Sequence, residues 1–313
     1  MILLDGKKVA EEIRARLRKS IAQHLQNGLR APKLAIVIVG HNPASETYVA
    51  NKIKACEEVG IEVEKIAFEQ SITERQLLAE IRRLNRDKSV DGFIVQLPLP
   101  DHISESKVLT TIDFRKDVDG LTPMSMGRAI QGLPAFRSAT PIGIQTLLEY
   151  YNISTEGKHV VVIGRSNIVG KPMAMLMMQR PYLSLPNVSA SSMGDATVTV
   201  CHSKTRGLAK ICRTADIIIV AAGSPKLLKA NMVREGAVVI DVGINRVEIT
   251  NDQSPITNTR RYRLVGDVDF ENVAPKAGYI TPVPGGVGPM TVATLLMHTV
   301  AAYSAKVIKI KME

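Results

Sequence analysis

The sequence contains no tryptophan, and aromatic residues fill only 4% of its 313 positions. Its three cysteines, Cys56, Cys201 and Cys212, form neither a disulfide framework nor the paired spacing of a metal site. The longest apolar runs, such as 34–39 and 217–222, are far shorter than the roughly 20 residues that a membrane-spanning helix needs. These absences exclude a disulfide-stapled extracellular domain and a membrane protein, and we expect no bound metal.

Positive charge is in excess, because 40 Lys and Arg face 30 Asp and Glu and leave a formal charge of +10. Such a surplus attracts anions, including nucleic acids and phosphorylated cofactors. The basic residues are spread through helical stretches such as 14–19 and 82–88 with no aromatic platform between them, which is more typical of a solvated surface than of a nucleic-acid interface. An early charge at Asp5 also interrupts any signal-peptide core. We therefore expect no nucleic-acid partner, no membrane, and a soluble cytoplasmic protein.

Helix and strand patterns alternate along most of the chain. Apolar residues recur at helical spacing in 9–27, and near-continuous apolar strands follow at 34–39 and 92–97 with helical patterns between them. A second alternating series begins with a strand at 159–164 and ends with a helix at 291–310. Strands that are apolar throughout are typical of parallel sheets covered by helices on both faces. The sequence therefore predicts an α/β protein.

The length predicts two domains, since one domain typically takes roughly 150 residues. We expect two α/β domains around a cleft. The predicted first domain comprises residues 1–145 plus 285–313, and the second comprises residues 146–284. Two stretches rich in small polar residues and proline, 181–194 and 248–263, are predicted to be surface loops.

A glycine turn follows the predicted strand at 159–164. The segment Gly164-Arg165-Ser166-Asn167-Ile168-Val169-Gly170 leads from this strand into a helix, where glycines let the backbone approach a pyrophosphate. The spacing departs from the usual GxGxxG because Ser166 replaces the middle glycine. A turn that merely ends a buried strand is an equally open interpretation of this motif.

The residues after the next strand favour NADP over NAD. NAD-binding folds usually place an acidic residue there for the ribose, whereas this sequence has the run His202-Ser203-Lys204-Thr205-Arg206. Hydroxyl and cationic groups suit a 2′-phosphate, and Arg165 can reach the same corner from the glycine turn. Taken singly, Lys204 and Arg206 are also explained as solvated loop cations. Together with the glycine turn, this corner leads us to expect that the second of the two domains is a Rossmann-type NADP-binding domain.

Candidate groups for acid–base chemistry lie in the first half of the chain. Tyr48 and Lys52 are four positions apart and share one face of a predicted helix. A lysine beside a tyrosine can exchange protons with a substrate, although an exposed packing pair is the commoner case. Gln96 closes a predicted buried strand, where its amide can contact a ligand.

Two further motifs complete the set. Asp117 and Asp119 precede a glycine turn, which presents two carboxylates together. The segment 281–291, Thr-Pro-Val-Pro-Gly-Gly-Val-Gly-Pro-Met-Thr, is stiff and leads directly into a helix N-terminus.

These motifs, in this order and with the glycine turn between them, resemble the bifunctional methylenetetrahydrofolate dehydrogenase/methenyltetrahydrofolate cyclohydrolase family over nearly the whole chain. The resemblance implies NADP-dependent oxidation of 5,10-methylenetetrahydrofolate to 5,10-methenyltetrahydrofolate and hydrolysis of that product to 10-formyltetrahydrofolate. It also implies tetrahydrofolate one-carbon derivatives as partners and a homodimer.

The resemblance further implies roles for single residues. Lys52 would be the catalytic lysine, with Gln96 as its hydrogen-bond partner and Tyr48 stacked on the folate, and Asp119 would bind the pterin. The implied folate-loop residues are Pro284, Gly285, Gly286 and Val287, and the implied NADP contacts are Gly164, Arg165, Ser166, Ser203, Ile244 and Thr140. The sequence departs from the family pattern at Ala139, where cysteine is frequent, so no thiol chemistry is expected there.

Three other functions stay open at this point. A dehydrogenase without the hydrolytic step would lack Lys52 or Gln96, and both are present. An NADP-binding scaffold would show no turnover with reduced folates. A basic nucleic-acid-binding protein would show steeply salt-dependent affinity.

Overall fold

The computed structural model describes residues 1–181, 193–248 and 262–307. The predicted loops 181–194 and 248–263 therefore lie almost entirely outside the described residues. The chain divides into two compact units. Unit 1 comprises Met1–Lys8, Ile144–Arg180 and Met193–Met290, and the described part of unit 2 is Val9–Gly143 with residues 291–307. The domain boundaries placed at residues 145/146 and 284/285 stay a prediction.

The elements within the described residues are named in chain order. The helices are α1 (Gly6–Gln26), α2 (Pro43–Val59), α3 (Glu74–Arg86), α4 (Glu105–Thr111), α5 (Pro123–Ile130), α6 (Ala139–Tyr150), α7 (Gly170–Met178), α8 (Leu208–Cys212), α9 (Phe270–Val273) and α10 (Val287–Val307). The strands are β1 (Ile2–Leu3), β2 (Lys33–Val39), β3 (Glu62–Phe68), β4 (Gly92–Val95), β5 (His159–Ile163), β6 (Thr197–Cys201), β7 (Ile217–Val220), β8 (Val238–Asp241), β9 (Asn245–Glu248), β10 (Tyr262–Val265) and β11 (Tyr279–Ile280). None of these helices has the length and apolar character that crossing a membrane requires.

Unit 2 contains a three-stranded parallel sheet in the order β3-β2-β4. The central strand β2 is buried at every position from Leu34 to Val39, because its apolar side chains meet the core on both faces. Its residue Val37 lies opposite Ile66 on one side and Val95 on the other. One face of this sheet packs against the buried apolar residues of α3, namely Leu77, Ile81 and Leu84.

Unit 1 contains a six-stranded sheet in the order β1-β11-β8-β7-β5-β6, and each neighbouring pair is parallel. Val162 at the centre of β5 lies opposite Val200 and Ile219. In open parallel sheets, ligands bind at the carboxyl ends of the strands. Gly164 and His202 follow two such ends, so the sheet places both at the edge where a ligand is expected. The predicted α/β class is confirmed.

Some element boundaries differ from those expected. The strand predicted over 92–97 ends at Val95, because Leu97 precedes Pro98, which has no N–H to donate. The helix predicted over 291–310 begins earlier, at Val287. The short helices α4 and α5 and the antiparallel β9–β10 ribbon were not predicted.

Candidate functional site

The side chain of Lys52 contacts that of Gln96 in unit 2. Lys52 lies on α2, and Gln96 immediately follows β4, so 44 positions of sequence separate them. The lysine Nζ donates a hydrogen bond to Gln96 Oε1 over 3.2 Å, and Gln96 Nε2 donates to the carbonyl of Leu97 over 2.7 Å. Both side chains are half-buried. The side-chain amide of Gln96 is thus held at both its oxygen and its nitrogen, and the oxygen orients the amine of Lys52.

Helix α2 divides its faces between solvent and core. Tyr48, one turn before Lys52, is 41% exposed. Val49 and Cys56 are buried, and burial raises the pKa of the Cys56 thiol to about 12. This thiol is therefore protonated at neutral pH and unreactive.

The structure separates the two aspartates before the glycine turn. Asp117 is buried, and its carboxylate accepts hydrogen bonds from the amides of Leu121 (3.2 Å) and Thr122 (2.8 Å). Burial raises the pKa of Asp117. Asp119 is half-buried, and its carboxylate has no hydrogen-bond partner within the described residues. Asp117 therefore builds the turn, and Asp119 is the carboxylate that a ligand can use.

The Asp119 turn lies close to the segment before α6. Gly120 has φ +69°, and a Cβ at this position would collide with the backbone of Arg137. The amide of Ala139 donates to the Asp119 carbonyl over 3.1 Å. A buried histidine on α10, His298, contacts the carbonyl of Val118 over 2.9 Å. Sequence reasoning missed His298, whose only signal is a polar side chain within an apolar helix.

The glycine turn of unit 1 forms a narrow backbone cradle. A Cβ at Gly164 would collide with the carbonyl oxygen of Ala221, and one at Gly170 would collide with the carbonyl oxygen of Gly164. Ser166 Oγ accepts hydrogen bonds from the amides of Val169 (3.1 Å) and Gly170 (3.3 Å) at the start of α7. This cradle fits a pyrophosphate, because the backbone is bare and a helix N-terminus favours an anion.

The corner after β6 lies beside this cradle. The amide of Gly164 donates to the carbonyl of Cys201 over 2.8 Å, which joins the ends of β5 and β6. His202 begins a tight turn, in which its backbone amide donates a hydrogen bond to Thr205 Oγ1 over 2.9 Å. Arg165 and Ser203 are both exposed. Their cationic and hydroxyl groups are therefore available to a phosphate at this corner.

Two buried aspartates hold the loops after β7 and β8, and sequence reasoning gave neither of them this role. Asp267 accepts hydrogen bonds from the amides of Ala222, Gly223 and Ser224 at 2.7–2.8 Å. Asp241 accepts from the amide of Gly243 over 2.9 Å, and burial raises its pKa to about 6. The signal for Asp267 was an acidic residue inside the apolar segment 264–268.

The remaining predicted residues lie in two places. In unit 1 the loop Pro284–Val287 leads into α10, and its Gly285 carbonyl accepts a hydrogen bond from the amide of Lys7 over 2.9 Å. Ile244, also in unit 1, is 44% exposed. In unit 2, Thr140 Oγ1 lies 3.0 Å from Thr291 Oγ1.

Comparison with known proteins gives a consistent result over both halves of the chain. Residues 4–119 match the family model described as tetrahydrofolate dehydrogenase/cyclohydrolase, catalytic domain. Residues 138–307 match the model described as tetrahydrofolate dehydrogenase/cyclohydrolase, NAD(P)-binding domain. A curated relative, the bifunctional protein FolD of Bacteroides fragilis, is 53% identical over 302 residues, which are 96% of this chain and 98% of that protein.

Solved structures of the same family are also similar to this chain. The bifunctional FolD methylenetetrahydrofolate dehydrogenase/cyclohydrolase from Campylobacter jejuni is 47% identical, with a TM-score of 0.85 over 97% of this chain and 99% of that one. The Trypanosoma brucei FolD dehydrogenase–cyclohydrolase, complexed with NADP cofactor and an inhibitor, is 36% identical, with a TM-score of 0.86 over 98% of each chain.

Proposed function

The chain belongs to the tetrahydrofolate dehydrogenase/cyclohydrolase family, and on that basis we propose which residues carry its two reactions. The enzyme oxidises 5,10-methylenetetrahydrofolate to 5,10-methenyltetrahydrofolate with NADP and hydrolyses the product to 10-formyltetrahydrofolate. The observation that supports the proposed roles is the hydrogen bond of 3.2 Å between Lys52 Nζ and Gln96 Oε1.

Lys52 moves protons in the hydrolytic step. A water oxygen bonds to the methenyl carbon, the bond from that carbon to N5 then breaks, N5 gains one proton, and one proton is released. An amine held at the reacting carbon can take the proton from the attacking water and return one to the departing nitrogen. Gln96 accepts one N–H of Lys52, which orients the amine without supplying a charge.

The hydride step depends on orientation more than on acid–base groups. NADP, when bound, accepts the hydride that the methylene carbon gives up. We assign Tyr48 to stack on the folate ring, and its exposure one helical turn from Lys52 supports this role. Such contacts raise the rate because they hold the reacting atoms about 3–3.5 Å apart.

Asp119 binds the pterin. Adjacent N–H groups on the amino-pyrimidine edge of a pterin are donors, and a carboxylate accepts two such hydrogen bonds side by side. Asp119 is suited to this role because Asp117 already supplies the acceptors that the turn needs. The loop residues Pro284, Gly285, Gly286 and Val287 contribute backbone to the folate site.

The glycine turn of unit 1 binds NADP. Gly164 and Gly170 leave room for the pyrophosphate, and Ser166 organises the amides at the start of α7. Arg165 and Ser203 would hold the 2′-phosphate. Ile244 and Thr140 are also assigned to NADP, as the family resemblance implies.

The protein acts in the cytoplasm as a homodimer. The edge strand β6, whose Val200 is 41% exposed, supports a contact between copies, because an edge strand presents unpaired backbone groups to a second chain. Light scattering after size-exclusion chromatography measures the assembly directly, and a mass equal to one chain at micromolar concentration would contradict it.

The test of the catalytic role compares two lysines on α2. Lys52→Met keeps the length of the side chain and removes the amine, and we expect hydrolysis of methenyltetrahydrofolate to fall by at least about 100-fold with NADP affinity unchanged. Lys54→Met is the matched control, because Lys54 is exposed on the same helix, and it should retain wild-type rates. A folded Lys52→Met variant that hydrolyses the substrate at a near-normal rate would exclude this role.

A further inference from the structure

His298 is a buried imidazole that the two reactions leave without a role. It lies on α10 with 1% of its surface exposed. Burial lowers its pKa to about 4, so the ring is neutral at physiological pH and carries one N–H. A polar ring in such a place is stable only if that N–H has a partner.

The partner of His298 is the carbonyl of Val118, 180 positions away in the sequence. Nδ1 lies 2.9 Å from this oxygen, and because a carbonyl only accepts, Nδ1 carries the proton and donates it. The ring also packs against Phe136, with centroids 5.2 Å apart. Two independent contacts therefore fix the imidazole.

The bonded carbonyl belongs to the peptide group that joins Val118 to Asp119. Since a peptide group is planar, fixing the Val118 oxygen also fixes the direction in which the Asp119 backbone leaves it. The Asp119 carbonyl is held from the other side by the amide of Ala139 at 3.1 Å. Asp119 is thus held before and after its Cα by hydrogen bonds to the carbonyls of Val118 and Asp119, one donated by a side chain and one by a backbone amide, while its carboxylate stays available.

We infer that His298 is a positioning residue for Asp119, which sets the direction of the pterin-binding carboxylate through the Val118 carbonyl. This inference rests on the proposed function, in which Asp119 binds the pterin. Asp119 and Arg137 are the charged groups that act on the imidazole, with opposite effects on its pKa.

The experiment compares three variants by steady-state kinetics. His298→Leu keeps side-chain bulk and removes the donor, and we expect the KM for methylenetetrahydrofolate to rise about tenfold, with kcat and the KM for NADP within about twofold of wild type. His298→Asn places an amide Nδ2 where the histidine Nδ1 lies, so it restores the folate KM to within about threefold. A merely structural histidine would lower the melting temperature in both variants and leave the folate KM unchanged.

Asp119→Asn separates this inference from the proposed function. If Asp119→Asn raises the folate KM and a folded His298→Leu does not, the positioning role is overturned and the role of Asp119 stands. If Asp119→Asn leaves the folate KM unchanged, both fail. Should His298→Leu not fold, His298→Ala replaces it, and an unchanged folate KM in that variant likewise overturns the inference.

A double variant gives an independent check. Because His298 acts through Asp119, adding His298→Leu to Asp119→Asn should raise the folate KM by less than the product of the two single effects. Fully multiplicative effects would overturn the inference, since they would show that the two residues act separately.

Discussion

The backbone amide of Asp267 donates a hydrogen bond to the carboxylate of Asp241 over 2.9 Å, which brings two buried acidic residues of unit 1 together. The Asp267 carboxylate in turn accepts hydrogen bonds from the backbone amides of the loop after β7, and the Asp241 carboxylate accepts one from the amide of Gly243 after β8. Two loops at the carboxyl ends of neighbouring strands are therefore held by one pair of side chains. These are the ends at which an open parallel sheet binds its ligand.

Asp267→Asn should destabilise the protein. Within the described residues, four N–H groups donate to the Asp267 carboxylate, one of them Asn245 Nδ2 at 2.9 Å, so an asparagine NH₂ would face N–H groups. We expect a loss of about 3 kcal/mol in the free energy of unfolding, measured by urea denaturation. Glu235→Gln makes the same chemical change at an exposed position and should leave the urea midpoint unchanged.

Arg165→Ala should weaken NADP binding and spare NAD. The guanidinium is exposed beside the glycine cradle, where it can pair with the 2′-phosphate that only NADP carries. We expect the dissociation constant for NADP to rise about thirtyfold, measured by fluorescence titration. Arg180→Ala, which removes an exposed arginine just beyond the far end of α7, serves as the control. An unchanged preference for NADP would show that the phosphate binds elsewhere.

Gly120→Ala and Gly132→Ala form a matched pair. Both glycines have positive φ, at +69° and +71°, so alanine meets the same backbone strain at each position. At Gly132 a Cβ would have open space, whereas at Gly120 it would collide with the backbone of Arg137. We expect about 1 kcal/mol of destabilisation for Gly132→Ala and about 3 kcal/mol or more for Gly120→Ala. Equal urea midpoints for the two variants would contradict the close approach seen at Gly120.

Stability should fall in acid because of His298. Its pKa is about 4 in the folded state against 6.5 ordinarily, so between these values the unfolded chain binds the extra proton. The contribution of His298 is therefore fully present above about pH 6.5 and is lost as pH falls through 4, by about 3 kcal/mol in total.

The comparison with His298→Asn isolates this effect. Asp241, whose raised pKa of about 6 makes its own contribution change in the opposite direction, is present in both proteins and cancels in the difference. The advantage of wild type over His298→Asn in unfolding free energy should shrink between pH 7 and 4. A difference that does not change with pH would show that the folded imidazole titrates normally.

Local patterns predicted most of the secondary structure. The apolar run 34–39 is a parallel strand because only a strand covered on both faces is apolar throughout, and the structure places it at the centre of a sheet. The helices α4 and α5 were missed although each has a capping residue, Ser104 and Thr122, whose side chain accepts from the first turn. Their signals are local and short, and apolar periodicity does not reveal helices of two turns.

The features of the site that the sequence did not predict depend on contacts between residues that are far apart in the chain. Sequence reasoning singled out Asp117 and Asp119 alike, and only the folded turn shows that one carboxylate is occupied by backbone amides. The contact of His298 spans 180 positions, and nothing near either residue in the sequence indicates the other. Lys52 and Gln96 were linked by family resemblance, and the 3.2 Å between them adds a geometry that spacing does not contain.

The short strand β1 has a consequence for the order in which the molecule is made. Ile2 and Leu3 are translated before every other strand of the six-stranded sheet, but they pair with Tyr279 and Ile280 of β11, which are translated after all of those strands. The sheet therefore cannot be completed until β11 has left the ribosome, whereas β2, β3 and β4 are available to one another early. Nascent unit 1 must keep an open edge at β8 until β11 emerges, and an open strand edge is exposed to non-native pairing during that interval.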